Sequence, residues 1–360
     1  LGANGCRRGA EGRLTDFAEN AKHWARRAAV IPAYFVLTAL AVAAFPPLLA
    51  IVVVLDVLRR NSYAYVRCLC FLTLYLVCES LGILVAFLAW LFSGVWFGAG
   101  RERFETWNYG LQRGWAAALF YGALRIFDVT LEVAGGEPRD RAPFILFGRH
   151  ASLPDVILPA ALFVVPYGLR IRHVMKRELL WDPCLDIVGR RLPNCFVRRG
   201  AENNETEIAG LRELMQGLGA RDGVMIYPEG TRFTRKKQEA ILARLAGRIE
   251  PALWRQAREL RHLLPPRLTG ALALLEENRR ADAIFCAHVG FEKTTRLVDF
   301  LNGSLIGRTI RVRLWRIPFV EIPAGRDERV QWLYDNWRRI DEWIGENGAE
   351  VRSQKSEVRS

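Results

Sequence analysis

The chain reads as an α/β protein: a mixed, mostly parallel sheet flanked by helices, preceded by an N-terminal apolar helical hairpin. Three observations predict this. From about residue 128 onward, short apolar runs bounded by Gly, Pro and polar residues alternate with stretches of helical apolar spacing. Upstream, the 28 residues from Ala28 to Leu55 carry no charge. At about 1.5 Å per residue such a run exceeds the roughly 30 Å of a bilayer core. A second apolar stretch, Cys68 to Gly98, is interrupted only by Glu79.

Taken in order, residues 1–27 form a basic N-terminal segment with Arg7, Arg8, Arg13, Lys22, Arg26 and Arg27. Residues 28–98 form a membrane-anchoring apolar hairpin. Pro46-Pro47 should kink or break its first helix, and Ser80 to Gly98 is the uncharged part of the second. Positive charge is denser before the hairpin than in its connecting loop, which favours both ends on the cytoplasmic side. The loop arginines Arg59, Arg60 and Arg67 leave a re-entrant or monotopic hairpin open. The first run is too long for a signal peptide and no small-residue cleavage site follows it. Glu79, at the edge of the clean span, is expected to be an interfacial acid.

Residues 99–127 follow as a juxtamembrane helix, with Trp107, Leu111, Trp115, Leu119 and Leu124 at helical spacing. It either lies in the interface or is the first core helix. The globular domain, 128–325, offers strands at Val129–Val133, Phe144–Phe147, Leu169–Met175, Asn194–Val197, Val224–Tyr227, Ala283–Val289 and Thr309–Trp315. Helices are expected at 155–164, 178–191, 204–219, 236–261 and 270–277. A C-terminal amphipathic helix, 326–345, carries Val330, Leu333, Trp337, Ile340 and Ile344 on one face. A polar, disordered tail is expected over 346–360.

Composition narrows the function. A hydrophobic content of 51% points toward a membrane, and a net charge of +13 points toward anionic partners. No basic helix-turn-helix, zinc-finger or single-strand-binding signature appears, so the charge reads as attraction to lipid head groups and phosphorylated substrates, not nucleic acid. The 7 cysteines are scattered without a C-x-x-C pair. That excludes a zinc site of that type and favours reduced thiols facing the cytosol.

Two motifs carry chemistry. In Gly148-Arg149-His150-Ala151-Ser152-Leu153-Pro154-Asp155, a histidine follows an apolar strand and precedes an aspartate by five residues. His150 suits a general base, and Asp155 can fix its tautomer if the loop curls. The residues alone leave open a helix-capping Asp155 beside a solvated histidine. In Tyr227-Pro228-Glu229-Gly230-Thr231-Arg232, Gly230 permits a tight turn and Thr231 offers a hydroxyl. Arg232 presents a fork suited to phosphate. Glu229, costly as a lone buried acid, should pair with a cation or a substrate hydroxyl. Together the motifs fit a base that activates an alcohol on an anionic substrate. No G-x-S-x-G appears, which argues against a serine hydrolase.

In this order the two motifs resemble those of the glycerolipid acyltransferase family, which includes the lysophosphatidic acid acyltransferases. Further blocks extend the resemblance over about residues 128–345. They are Lys176-Arg177-Glu178-Leu179 with Pro183 and Gly189, and Phe196-Val197-Arg198-Arg199. Two more are His262-Leu263-Leu264-Pro265-Pro266-Arg267 and Trp332-Leu333 with Trp337 and Asp341. The resemblance implies a 1-acylglycerol-3-phosphate O-acyltransferase, with His150 and Asp155 catalytic. It places Glu229, Gly230, Thr231, Arg232, Arg199 and Lys176 on the phosphate and glycerol of the acceptor. Partners would be lysophosphatidic acid or a related lysophospholipid, an acyl-CoA or acyl carrier protein thioester, and an anionic membrane. No cofactor and no metal are implied, and the catalytic domain would face the cytoplasm. Ala287-His288-Val289 departs from the family's V-P-[VI] core, with His288 in place of proline. His288 is expected to be a strand histidine and not a second base. An inactive lipid-binding scaffold is the competing class.

Overall fold

The computed structural model describes residues 10–95, 100–198 and 205–357. Four helices come first: α1 (Ala10–Ala43), α2 (Phe45–Arg59), α3 (Ala64–Phe92) and α4 (Arg101–Phe127). The first apolar run is therefore divided. Pro46 and Pro47 occupy the opening turn of α2, where a missing N–H costs nothing, so the break falls at Ala44. Asp56, buried in α2, accepts from the Tyr65 and Val66 amides at 3.1 and 2.9 Å and so closes the first turn of α3.

Seven strands form one sheet: β1 (Thr130–Gly135), β2 (Phe144–Gly148), β3 (Arg170–Lys176), β4 (Cys195–Val197), β5 (Asp222–Ile226), β6 (Asp282–Val289) and β7 (Thr309–Ile317). Their order is β1-β7-β6-β2-β5-β3-β4. Every neighbouring pair is parallel except β6 with β7. Mixed and mostly parallel, the sheet is the one the strand–helix alternation predicts.

The helices after β2 are short. A 3-10 turn (Pro154–Ile157), a π turn (Ala160–Val164) and α5 (Val165–Tyr167) replace the single helix expected over 155–164. Pro154, Pro159 and Pro166 each remove an N–H, which prevents a regular ladder. A 3-10 turn (Arg177–Trp181) and α6 (Pro183–Ile187) likewise share the expected 178–191, split at Asp182, whose side chain caps α6. Next come α7 (Glu205–Glu213), α8 (Arg235–Leu245) and α9 (Pro251–Glu259). The helix expected over 236–261 is broken by Gly247, at φ +70°, and by Pro251. The last three are α10 (Leu268–Glu277), α11 (Leu297–Leu301) and α12 (Arg326–Glu357). α12 runs on into the segment expected to be a disordered tail. Most residues from Glu346 to Glu357 are adequate helix formers, and extending a nucleated helix is cheap.

Side chains alternate across the sheet. Ile145, Phe147, Val224, Ile226 and Phe285 face α7, α10 and α12, where Leu211, Leu274, Trp337 and Ile340 complete one core. Phe144, Leu146, Met225 and Ile284 face the other way, onto Phe127, Leu162 and Phe163. Both faces are covered, and all five residues of β2 are buried.

α3 packs on this domain along its length. Asn61, just before it, donates to the Leu301 carbonyl at 2.9 Å. Near its middle Glu79 is 0% exposed and accepts from Trp115 Nε1 at 2.9 Å and the Cys184 amide at 3.2 Å. Glu79 is thus not an interfacial acid: it joins α3 to α4 and α6. Arg26 and Arg27 of α1 donate to Asp186 of α6 at 2.8 and 2.6 Å.

Candidate active site

β6, β2, β5 and β3 are parallel neighbours, so their carboxyl ends stand side by side, where α/β sheets place their ligands. The chain leaves β2 into Arg149-His150, β5 into Tyr227-Pro228-Glu229, and β6 into Gly290-Phe291-Glu292. Both sequence motifs therefore meet on one edge of the sheet.

The loop after β2 curls as the dyad requires. His150 Nδ1 lies 3.0 Å from Asp155 Oδ1. Asp155 Oδ2 accepts the amides of Ala151 and Ser152 at 2.6 and 2.7 Å. Burial pushes the Asp155 carboxyl up, but His150, His288 and the backbone amides outweigh it and hold the group below its ordinary value. A carboxylate facing Nδ1 keeps a proton there, which leaves Nε2 as the basic nitrogen. The His150 side chain is 17% exposed, less open than a solvated loop histidine. The Tyr227 ring lies beside it, tilted by 37° with ring centroids 4.8 Å apart, and the Tyr227 hydroxyl donates to the Asp155 carbonyl at 3.3 Å.

Glu229 is 0% exposed. The cost of burying a lone acid predicts a cation or substrate hydroxyl against it; instead its oxygens accept the His150 amide at 2.7 Å and the Leu264 amide at 2.9 Å. Burial pushes its carboxyl up to about 8, against those two amides, which favour the ionised form. Both oxygens accept N–H groups, a geometry suited to the carboxylate. Glu229 is thus a brace between the His150 loop and the 261–264 segment.

That segment is held in turn by α12. Asp341 accepts the Arg261 and His262 amides at 2.8 and 2.7 Å, and Trp337 Nε1 donates to the Leu264 carbonyl at 3.0 Å. They form a continuous chain of bonds from α12 through Leu264 and Glu229 to His150.

The Gly230 amide closes the turn by donating a hydrogen bond to the Tyr227 carbonyl at 3.0 Å, and the residue's φ is +65°. That positive φ favours glycine, and a Cβ there would sit 2.7 Å from Arg267 Nε and force that side chain to shift. Lys237 Nζ donates to Thr231 Oγ1 at 2.9 Å. Arg232 Nη1 donates to the Thr295 carbonyl at 2.7 Å, and the Phe233 amide donates to the His150 carbonyl at 3.1 Å. Lys176 ends β3 on the same edge of the sheet. Arg199 lies outside the described residues. His288, expected to be a strand histidine, is 1% exposed, and burial first, then Arg149, pulls its pKa to about 4. Among the described residues no cluster of His, Cys, Asp and Glu could hold a metal ion.

The family model described as Acyltransferase matches residues 130–274. The 1-acyl-sn-glycerol-3-phosphate acyltransferase epsilon of Mus musculus is 23% identical over 225 residues, 59% of this chain and 60% of that protein. The gamma enzyme of Homo sapiens is 28% identical over 169 residues, 46% of this chain and 43% of that protein. The chain thus spans less than two thirds of either relative's length. The crystal structure of the 1-acyl-sn-glycerophosphate acyltransferase PlsC from Thermotoga maritima aligns at 16% identity with a TM-score of 0.49, covering 79% of this chain and 98% of that one. The segment of this chain that the Acyltransferase model matches holds β1 to β5, the His150–Asp155 pair and the Glu229–Arg232 turn, and the model and the relatives together support the glycerolipid acyltransferase family.

Proposed function

We propose that the chain is a membrane-anchored acyltransferase. It moves an acyl chain from a thioester of coenzyme A or acyl carrier protein to the free hydroxyl of lysophosphatidic acid, giving phosphatidic acid. The observation that carries this reading is the 3.0 Å bond between His150 Nδ1 and Asp155, set beside the arginine-bearing turn. His150 Nε2 takes the hydroxyl proton as the oxygen attacks the thioester carbonyl. The tetrahedral intermediate collapses, the C–S bond breaks, and the imidazolium returns its proton to the departing sulfur. Holding donor and acceptor together supplies much of the rate. Ser152 is buried in the loop at 0% exposure, which disfavours it as a nucleophile. The names of the relatives support lysophosphatidic acid as acceptor. The test is an acceptor panel with purified protein and labelled acyl-CoA, read by product mass. Phosphatidic acid as the main product supports the reading. A different lysophospholipid product reassigns the head group, and no product with any acceptor leaves a lipid-binding protein.

Arg232, Lys176, Arg199, Gly230 and Thr231 are assigned to the acceptor's phosphate and glycerol, with Glu229 bracing the turn from behind. The tether from Arg232 to Thr295 orders one end of the guanidinium fork, and charge-assisted bonds to phosphate use its other donors. Arg232→Ala should raise the acceptor KM about tenfold or more with the donor KM little changed. An equal rise for both substrates would reassign Arg232 to holding the Thr295 loop.

Membrane anchoring is supported by two helices long and apolar enough to cross a bilayer, Lys22–Ala43 and Ala64–Phe92. None of the first window and 22% of the second is buried, unlike core helices of a soluble protein. The contacts of Asn61 with Leu301 and of Arg27 with Asp186 tie the hairpin's loop and its start to one domain. That favours the monotopic or re-entrant arrangement over a full crossing, with the domain on the cytoplasmic face. Alkaline carbonate should leave the chain in the membrane pellet. In sealed vesicles with the domain outside, an impermeant thiol reagent should label Arg60→Cys above the parental background. Protection of that position would restore the crossing hairpin, and extraction by carbonate would make the enzyme peripheral.

A further inference from the structure

Next to the dyad lies a second imidazole that the reaction does not use. His288 stands near the end of β6, where the resembled family carries proline. Arg149 Nη1 donates to the His288 carbonyl, and His288 Nε2 stands 3.3 Å from the Arg149 carbonyl. Residues 149 and 288 thus exchange side-chain-to-backbone bonds across neighbouring parallel strands. The same Nε2 lies 3.6 Å from Asp155 Oδ2, too far for a hydrogen bond but close enough for a charge–dipole attraction. Both neighbours of Nε2 are acceptors, so the proton belongs on Nε2. Nδ1 is buried without a hydrogen-bond partner. With its N–H turned toward acceptors and 1% of its surface exposed, His288 has no basic nitrogen to offer a substrate.

We propose that His288 is a positioning residue for the dyad: its Nε2–H holds the carbonyl preceding His150 and faces Asp155, fixing the carboxylate against the base. The proposal rests on His150 being the general base. The charged and titratable groups around the pair are few. Arg149, His150 and Asp155 come from the β2 side. Glu292, after β6, accepts from Arg149 at 2.9 Å, so those two charges largely offset one another. Tyr227 and Glu229 come from the β5 turn, and Cys286 from β6 itself. Against this background the N–H pole of His288 competes with the His150 imidazolium for Asp155. Removing it strengthens the hold of Asp155 on the imidazolium and raises the pH at which His150 loses its proton.

The test compares His288→Leu, which keeps volume without a donor, with His288→Gln, whose amide N–H reaches about where Nε2 stands. His288→Leu should lower kcat roughly tenfold, leave both KM values within about twofold, and move the acid limb of the pH–rate profile upward. His288→Gln should keep most of kcat and the wild-type limb. Wild-type kcat in the leucine variant overturns the proposal. So do equal losses in both variants with an unmoved limb, which would assign His288 to packing alone. Whether or not those variants fold, nitrogen-15 NMR of the wild-type chain must show the His288 proton on Nε2; a proton on Nδ1 overturns the proposal. Wild-type turnover in His150→Ala overturns the dyad and this proposal together. Loss in His150→Ala with wild-type behaviour in His288→Leu overturns this proposal alone.

Discussion

His150→Ala is expected to lower acyl transfer by about 10²–10⁴-fold and to leave the chain folded. In the proposed reaction the imidazole takes the acceptor's proton through Nε2, with Nδ1 committed to Asp155 at 3.0 Å. Its backbone bonds, from its amide to Glu229 and from the Phe233 amide to its carbonyl, do not involve the side chain and survive truncation. The thermal midpoint should therefore change little, while kcat falls and both KM values stay near wild type. Turnover above about a tenth of wild type would remove His150 from the role of base.

Asp155→Asn should cost nearly as much, for a reason the geometry makes specific. Oδ2 accepts two amides, at 2.6 and 2.7 Å, so the amide oxygen of asparagine must stay on that side. Its NH₂ group then replaces Oδ1 and faces His150 Nδ1 as a donor. The histidine must answer with a bare Nδ1, which moves its proton to Nε2 and blocks the basic position. A loss on the order of 10²–10⁴-fold in kcat is expected, with folding retained. Nitrogen-15 NMR should find the His150 proton on Nε2 in this variant and on Nδ1 in the wild type at neutral pH. An unchanged tautomer with unchanged kcat would make Asp155 a loop cap.

The sheet was legible because each strand is a short apolar run with clear punctuation. All seven expected strands appear, shifted by a few residues at their ends. The helices were less legible where proline and glycine act locally: Pro159 and Pro166 fragment the helix after the dyad, and Gly247 with Pro251 split α8 from α9. Spacing placed Asp155 within reach of His150 only if the loop curled and left a helix cap open; the curl itself comes from the Ala151 and Ser152 amides closing on the carboxylate. Glu229 was misread because its partners are backbone amides of His150 and Leu264, and main-chain donors have no signature in sequence. For the same reason the bond chain from Asp341 and Trp337 was visible only as a pattern of residues. Glu79 followed hydropathy, which cannot tell a lipid-facing position from one packed on Trp115.

The central claim is that His150 deprotonates the acceptor hydroxyl for direct attack on the thioester, with both substrates bound at once. Initial rates measured while acyl-CoA and lysophosphatidic acid are varied against each other test it most directly. Intersecting double-reciprocal lines, with no gain in protein mass when acyl-CoA is supplied alone, are the predicted result. Parallel lines together with a chain heavier by one acyl group would mean an acyl-enzyme, and would contradict it.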